Sequence, residues 1–415
     1  MINTGDTGFI LIASAMVLLM TPGLAFFYGG LGQRKNVINT IMSSIFIIGI
    51  ASIMWVLIGY TFSFGDDIGG LGILGNLKWV AFNGVGVTPS KYASSIPNVV
   101  FASFQMMFSI ITPAIITGAV AGRMKFKALF WFIPIWLLLV YYPIAHMIWA
   151  DGGFLYKLGV VDFAGGNVVH ISSGASALVL AIVLGKRKDL EIVSYRTHNI
   201  PLVVLGTGLL WFGWFGFNAG SALGANGLAA HAFLTTNTSA AAAMLSWMFI
   251  DYIKQKKTTL VGAVTGAVAG LATITQGAGF VPVWSAILIG ALASPICYFA
   301  VAVIKRRIGY DDALDAFGCH GVGGIIGAIA TGIFADSSIN SAAKWDGLIY
   351  GEYHLFVVQL IGIIVTIGLA VCGTLIALGI VRIFTPLRVS RRDEQIGLDM
   401  AEHGESAYPS FYGFD

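Results

Sequence analysis

The chain has 415 residues, of which 57% are hydrophobic and only 10% are charged. Soluble domains usually carry about 25% charged residues, so a water-soluble globule of this length could not cover its surface with so few charges. The composition therefore predicts an integral membrane protein. It excludes a nucleic-acid-binding protein, a disulfide-stabilised secreted domain and an ordinary cytosolic enzyme.

Long apolar runs follow one another along almost the whole chain. A bilayer core about 30 Å thick is crossed by a helix of about 20 apolar residues. The runs do not alternate every second residue, as strands of a transmembrane β-barrel do, so we predict an all-α integral membrane protein with eleven transmembrane helices. In chain order the runs are residues 9–30, 37–62, 99–122, 128–148, 164–184, 200–217, 228–250, 260–275, 281–304, 317–335 and 356–383.

The lysines and arginines between the runs predict the orientation of the chain. One set of alternate loops, together with the C-terminal segment, holds most of them, including Arg196. Because Lys and Arg accumulate in cytoplasmic loops, we expect the N-terminus outside and the C-terminus inside. The other set of loops holds only Lys78, Lys91, Lys157 and Lys344.

The runs also divide the chain into two parts. We assign residues 1–384 to a transmembrane domain, because no long polar segment interrupts them. Residues 385–415 are polar and are predicted to form a cytoplasmic tail, with a disordered terminus as the alternative. Residues 1–8 contain no Lys or Arg, so the first run is expected to span the membrane and not to be a cleaved signal peptide.

Two histidines lie inside predicted spans, where ionisable residues are costly and commonly functional. His170 in the fifth run follows Asp162 by eight residues, and His320 in the tenth run follows Asp312 by eight residues. The fifth run enters the membrane from outside and the tenth from inside, so both histidines approach the midplane from opposite sides. This arrangement predicts an inverted repeat of five plus five helices, with the eleventh helix outside the repeat.

Purely structural interpretations of these residues remain open. Either histidine could be a hydrogen-bonded packing residue. Two imidazoles without a nearby Cys, Glu or third His make a poor metal site, so we expect no metal or other cofactor. Asp162 precedes Gly165 and Gly166 at a helix start, which favours helix capping as its first role and attraction of a cation as its second.

Short motifs spread over nearly the whole chain resemble those of the ammonium transporter (Amt/Mep/Rh) family, and its bacterial and archaeal Amt type in particular. The sequence departs from the family pattern at Gln276, which follows Thr275 where Thr-Pro is common. It departs again at Ala150-Asp151, which separate Trp149 from the next glycines. The motifs are residues 21–23 (TPG), 26–30 (FFYGG), 145–149 (AHMIW), 162–166 (DFAGG), 211–221 (WFGWFGFNAGS), 236–238 (TNT), 315–321 (DAFGCHG), 397–399 (GLD) and 403–405 (HGE).

The resemblance implies roles for aromatic residues at the outer mouth of a pore. Phe108, Trp149 and Ser221 would form a vestibule that recruits NH4+, and Phe108 and Phe217 would form a stacked gate below it. An interfacial aromatic belt is the alternative for this cluster. Asp151 places a carboxylate two residues after Trp149, and we expect it to help recruit the cation.

The resemblance also implies a function and an assembly. His170 and His320 would line the pore with Trp214 in its wall, and Asp162 would be a buried aspartate near the recruitment site. The family transports ammonium, with methylammonium as an analogue, through homotrimers with one pore per subunit. The resemblance further implies a cell inner (plasma) membrane location, contact with lipid, and a regulatory role for the cytoplasmic tail, residues 385–415, where a PII-type signalling protein would dock.

Two other classes of function compete with transport. A membrane-embedded enzyme is disfavoured because the chain has no G-x-S-x-G, HExxH or P-loop motif. A sensor that binds ammonium without much flux is harder to separate, although such proteins often carry a large fused signalling domain. We therefore predict a transporter or channel that conducts NH3, with or without a separately moved proton.

Overall fold

The structure is a computed structural model that describes residues 1–188 and 197–408. Arg196 of the predicted inner loops and residues 409–415 of the predicted tail lie outside the described residues. The described part is mostly helical. In chain order its helices are α1 (Thr4–Leu31), α2 (Val37–Met54), α3 (Tyr60–Phe64), α4 (Asn98–Val120), α5 (Phe126–Trp136), α6 (Tyr142–Trp149), α7 (Phe154–Leu158), α8 (Ser172–Leu184), α9 (Ile200–Gly220), α10 (Gly227–Gln255), α11 (Leu260–Ile274), α12 (Val283–Phe299), α13 (Lys305–Ile308), α14 (Val322–Phe334), α15 (His354–Phe384) and α16 (Arg391–Ile396).

Several of these helices are continued by π-helical turns, which occur frequently at functional sites. Trp55–Gly59, Leu137–Tyr141 and Ala300–Ile304 join neighbouring α-helices into longer rods. Gly166–Ile171 and Phe317–Gly321 begin the rods that continue as α8 and α14. The last two π turns contain His170 and His320.

Nine helical rods in the described residues are long and apolar enough to cross a membrane. The protein is therefore a multi-pass membrane protein. The predicted runs at residues 228–250 and 260–275 are also helical, as α10 and α11. Helix α11 has only 15 residues, and α10 has 29 residues but includes polar groups such as His231, Asn237 and Asp251.

The loops gather in two groups, one at each end of α1. This helix has 28 residues and is therefore about 42 Å long at 1.5 Å per residue. At its N-terminal end, the Asn3 N–H donates to the Ser95 carbonyl at 2.8 Å. At its other end, the Asn199 N–H donates to the Gly30 carbonyl at 3.2 Å. We call these the N-terminal end and the tail end of the bundle.

The C-terminal segment lies against the loops of the tail end. Lys35 Nζ donates to the carbonyls of Glu394 and Gln395 at 2.8 and 2.9 Å. The Leu398 N–H donates to Asn36 Oδ1 at 2.8 Å. The beginning of the chain and its C-terminal segment therefore occupy opposite ends of the bundle.

The N-terminal end carries a folded loop between α3 and α4. Strands β1 (Pro89–Ser90) and β2 (Ala93–Pro97) form an antiparallel pair within it. The Tyr92 hydroxyl donates to the Phe64 carbonyl at 2.7 Å. This bond ties the turn between the strands to the end of α3 and positions the tyrosine ring beside the functional site.

Asp162 and Asp312 cap the two rods that contain the histidines. The Asp162 carboxylate accepts four backbone N–H groups of residues 165–168, at 2.6 to 3.1 Å. The Asp312 carboxylate accepts the N–H groups of Ala316 and Phe317 at 3.2 and 2.8 Å. The residues between each aspartate and its rod are not continuously helical, because Gly165 has φ 117° and Asp315 has φ 61°. Each capping aspartate nevertheless precedes the histidine of its rod by the same eight residues.

Candidate functional site

An aromatic pocket of about 130 Å³ opens at the N-terminal end of the bundle. Its walls come from α3, the β1–β2 turn, α4, the last residue of α6, and the segments that precede α8 and follow α9. Phe108, Trp149 and Ser221, the three residues predicted to form a vestibule, therefore meet in one cavity. The pocket is lined by Phe64, Tyr92, Phe101, Gln105, Phe108, Trp149, Phe163, Ser221 and Leu223.

Hydrogen bonds and ring contacts orient the residues of the aromatic pocket. Trp149 Nε1 donates to the Asp162 carbonyl at 2.9 Å, and its ring stands at 88° to that of Phe108 with centroids 5.8 Å apart. The Ser221 hydroxyl donates to the Phe217 carbonyl at 2.9 Å. Because its hydrogen is used, the Ser221 oxygen presents lone pairs as acceptors to the pocket.

The floor of the aromatic pocket is closed by two phenylalanines. The rings of Phe108 and Phe217 have centroids 4.3 Å apart and are tilted by 32° to each other. They are in contact but are not parallel, in contrast to the stacked pair expected from the sequence. Phe217 is fully buried and Phe108 is 1% exposed, so no open path leads past them.

Beyond the phenylalanines lie the two histidines. The His170 ring is 6.2 Å from that of Phe217 and 5.4 Å from that of Trp214. The Nδ1 atoms of His170 and His320 are 3.3 Å apart. Both histidines are buried. We call Phe108, Phe217, His170 and His320 the pore column.

The neighbouring bonds decide which ring nitrogens carry hydrogen. The Thr275 hydroxyl donates to the Leu271 carbonyl at 2.8 Å and accepts from Trp214 Nε1 at 2.9 Å. Its remaining lone pair faces His170 Nε2 at 3.3 Å, so this nitrogen carries hydrogen. A neutral His170 then accepts at Nδ1, and His320 is the donor within the pair.

The pore column is narrow and almost dry. A cavity of about 10 Å³ lies between His170, His320, Trp214 and Phe217. A single water needs about 10–15 Å³ of such volume, so the cavity holds at most one small molecule. Its remaining walls are apolar and are formed by Met20, Leu24, Ile111, Ile115, Val169 and Leu210.

A much larger tail-end cavity of about 770 Å³ lies on the other side of the histidines. Cys319, the residue before His320, is part of its wall. Its mouth carries charged groups, including Lys305 and Asp315, whose side chains pair at 2.6 Å. The aromatic pocket, the pore column and the tail-end cavity thus follow one another through the bundle.

A buried ion pair joins the loops beside the tail-end cavity. Arg187 donates to the Asp311 carboxylate through Nε at 2.8 Å and Nη2 at 2.7 Å. Arg123 donates to the Asp311 carbonyl. Burial by itself raises the pKa of the Asp311 carboxyl, but the bonds and charges of the two arginines outweigh it and hold this pKa below its usual range.

Sequence reasoning did not identify every residue of this site. Thr275 was noted only as the neighbour of Gln276, although its hydroxyl bonds both His170 and Trp214. Tyr92 and Phe163 also line the aromatic pocket, and both lie in non-helical segments that apolar periodicity does not describe. The motif around Asp162 contains Phe163 and was the available signal for it.

Comparison with known proteins identifies the family and agrees with the fold. The sequence profile of the Ammonium Transporter Family matches residues 8–408. An ammonium transporter of Bacillus subtilis is 50% identical over 97% of this chain and 98% of its own length. The ammonium transporter Amt1 of Archaeoglobus fulgidus is 46% identical over 98% of this chain and 100% of its own length.

The fold also matches solved structures. The crystal structure of Saccharomyces cerevisiae Mep2 is 38% identical and superposes with a TM-score of 0.87, covering 94% of this chain and 91% of that chain. The family profile, the two relatives and this structure each extend over nearly the full length of the chain. The chain belongs to the ammonium transporter family.

Proposed function

We propose that the protein recruits NH4+ in the aromatic pocket and conducts NH3, with or without a separately moved proton, through the pore column into the cytoplasm. The observation that carries this proposal is the linear series of aromatic pocket, phenylalanine contact, bonded histidine pair and tail-end cavity. The names of the two relatives point to transport and not to catalysis.

Recruitment follows from the chemistry of the aromatic pocket. Ring faces attract a cation within about 6 Å of their centroids, and Phe108 and Trp149 present perpendicular rings at the bottom of the pocket. NH4+ donates four hydrogen bonds, and the Ser221 oxygen offers an acceptor. Asp162 acts indirectly in this scheme, since its carboxylate is engaged with backbone N–H groups and its carbonyl orients Trp149.

Selection follows from the pore column. A cation that passes Phe108 and Phe217 must leave its water, and the rings of the column replace hydration poorly. NH4+ can release a proton and continue as NH3, whereas potassium, which is similar in size, cannot. A passage that admits only the neutral molecule therefore distinguishes the two ions by their chemistry and not by their size.

The proposal extends to topology and location. We infer eleven spans with the N-terminus outside, in a five-plus-five inverted repeat followed by α15, in the cell inner (plasma) membrane. The support is that Asn3 and the tail lie at opposite ends of the bundle, which requires an odd number of crossings. The opposite directions of the rods with His170 and His320 support the inverted repeat.

We also propose that residues 385–415 form a regulatory tail and that the chain assembles as a homotrimer surrounded by lipid. Helix α15 ends at Phe384, and the tail bonds several loops of the tail end. Arg388 donates to the Leu184 carbonyl at 2.7 Å and to the Glu394 carboxylate at 2.8 Å. A PII-type signalling protein that binds the tail would therefore act on loops beside the tail-end cavity.

The histidine pair provides the test of the mechanism. We expect His170→Ala and His320→Ala each to reduce ammonium-specific transport or to admit potassium, because a wider, wetter column no longer requires deprotonation. The measurement is the current in proteoliposomes under separate ammonium and potassium gradients.

The exposed His354 on α15 offers a matched control, since His354→Ala leaves the pore column unchanged. If both pore variants kept wild-type ammonium flux and still excluded potassium, the histidines would be packing residues. Uptake of labelled methylammonium by transport-deficient cells separates a transporter from a pure sensor, which would give no uptake.

A further inference from the structure

Residues 161–163 reach the aromatic pocket through Phe163, which is part of its wall. The Asp162 carbonyl accepts the Trp149 indole N–H at 2.9 Å, and the Phe163 ring lines the cavity. This segment has no regular secondary structure, so neighbouring strands or helical turns do not fix its carbonyls. The direction of the indole therefore depends on what holds this segment in place.

Two glutamines from distant helices hold the segment. Gln359 on α15 accepts the Val161 N–H through Oε1 at 3.1 Å and donates to the Val161 carbonyl through Nε2 at 2.9 Å. Gln276, just after α11, donates to the same carbonyl at 2.6 Å. The carbonyl of Gln276 accepts the Phe163 N–H at 3.0 Å. The three residues 161–163 are thus bonded on both sides of Asp162.

Burial increases the free-energy cost of losing these hydrogen bonds. Both glutamines are fully buried, and an unpaired buried amide or peptide group costs about 1–3 kcal/mol. Among the described residues, Gln359 is the only hydrogen-bond partner found for the Val161 N–H. Removal of this side chain would therefore leave that group unpaired. The side chain of Gln276 packs directly against Gly166, where any Cβ would overlap its Oε1, so a glycine at this position leaves room for the amide.

We propose that Gln276 and Gln359 are positioning residues for ammonium recruitment, because they hold the backbone of residues 161–163 so that Asp162 directs the Trp149 indole into the aromatic pocket. This inference rests on the proposed function of that pocket. It also assigns a role in recruitment to α15, the helix outside the five-plus-five repeat.

The first test is a kinetic one. Gln359→Met and Gln276→Met keep the approximate length of the side chain and remove its hydrogen bonds. We expect each to raise the KM for methylammonium uptake into proteoliposomes by about threefold to tenfold, the equivalent of one modest hydrogen bond, while Vmax stays within about twofold of wild type. Thr374→Val is the matched control, because Thr374 is buried on α15 and bonds Ser176 at 2.9 Å, away from the pocket.

The second test asks whether the effect passes through Trp149. Trp149→Phe keeps an aromatic ring but removes the indole N–H that binds the Asp162 carbonyl. In that background, we expect Gln359→Met to add no further increase in KM. Increases that multiply would overturn the proposal, because the glutamine would then act by a route that does not involve the indole.

The third test does not depend on transport. Hydrogen exchange of the peptide that contains Val161 should become faster in Gln359→Met, while exchange within α8 stays as in wild type. Unchanged exchange at Val161 and an unchanged KM, with wild-type uptake intact, would refute the inference alone. A wild-type protein that takes up no methylammonium would refute the proposed function and the inference with it.

Discussion

At the rim of the aromatic pocket, next to Tyr92 in the sequence, the side chain of Lys91 carries an ammonium group. Its Nζ lies 3.2 Å from an Asp66 carboxylate oxygen, 3.5 Å from an Asp151 carboxylate oxygen and 5.2 Å from the centroid of the Tyr92 ring. Asp151 was expected from the sequence to attract the substrate, but its charge already faces this lysine. In the proposed function, NH4+ would therefore approach a rim that already holds a cation of the protein.

A pair of variants tests the role of this rim. We expect Lys91→Gln to lower the KM for methylammonium and Asp151→Asn to raise it, each by about twofold, because exposed ion pairs contribute only about 0.2–1 kcal/mol. Both changes should be visible at low ionic strength and shrink near 0.15 M salt, where the Debye length is about 8 Å.

Lys344→Gln serves as the control for removing a cation at the same end of the bundle. Lys344 donates to the Lys157 carbonyl at 3.0 Å and does not line the aromatic pocket. A shift in KM that persisted unchanged at high salt would show that Lys91 and Asp151 act through the shape of the loop and not through charge.

At the level of single elements, the sequence predicts where helices lie better than which of their residues meet. The run at residues 200–217 corresponds to α9, and the run at 356–383 to α15, because a span requires only a sufficient count of apolar residues. The bonds between Gln359 and Val161 join positions 198 residues apart. A helix that is apolar on all sides carries no periodic signal for such a contact.

The π turns were not predicted either. Their positions at Gly166–Ile171 and Phe317–Gly321 place His170 and His320 at the first turn of each rod. Local propensity does not distinguish a π turn from an α turn. The family resemblance predicts that the two histidines lie together, whereas the bond between His170 and Thr275 is visible only in the three-dimensional arrangement.

Asp311 makes the connection between loops at the tail end sensitive to acid. The pKa of its carboxyl is lower in the folded protein than in the unfolded chain, where it is about 3.9. Its contribution to stability is therefore complete above the unfolded pKa and is lost as the pH falls through the folded pKa. We expect Asp311→Asn to destabilise the protein at neutral pH by about 3–5 kcal/mol, as removal of one partner from a buried ion pair does. As the pH falls below about 4, the stability of the Asp311→Asn variant should decrease less than that of wild type.

Thermal unfolding of the detergent-solubilised protein between neutral and acidic pH measures both effects. Asp251→Asn is a suitable comparison, because Asp251 is also buried at the tail end and bonds the Thr259 hydroxyl at 2.5 Å. Equal acid sensitivity in wild type and Asp311→Asn would mean that the ion pair with Arg187 does not determine how stability falls at acid pH.

On the scale of the whole molecule, the positions of the two chain termini show whether the number of crossings is odd or even. We expect a reporter fused after Asp415 to read cytoplasmic and a cysteine placed at Ile2 to react with an impermeant reagent from outside. Ile2 is exposed, and it is preferable to Asn3, whose side chain caps α1 by accepting the Asp6 N–H. Both ends on one side of the membrane would contradict eleven spans.

The hydrogen bonds of the histidine pair all point in one direction. His320 donates to His170, and His170 donates to Thr275, whose own hydrogen is held by the Leu271 carbonyl. A proton that hopped along this series would reverse every donor and acceptor, so both rings would have to exchange tautomers before a second proton could follow the first. The polarity of the bonds therefore gives proton movement no preferred direction. In the proposed function, the passage of a neutral molecule would need no such resetting.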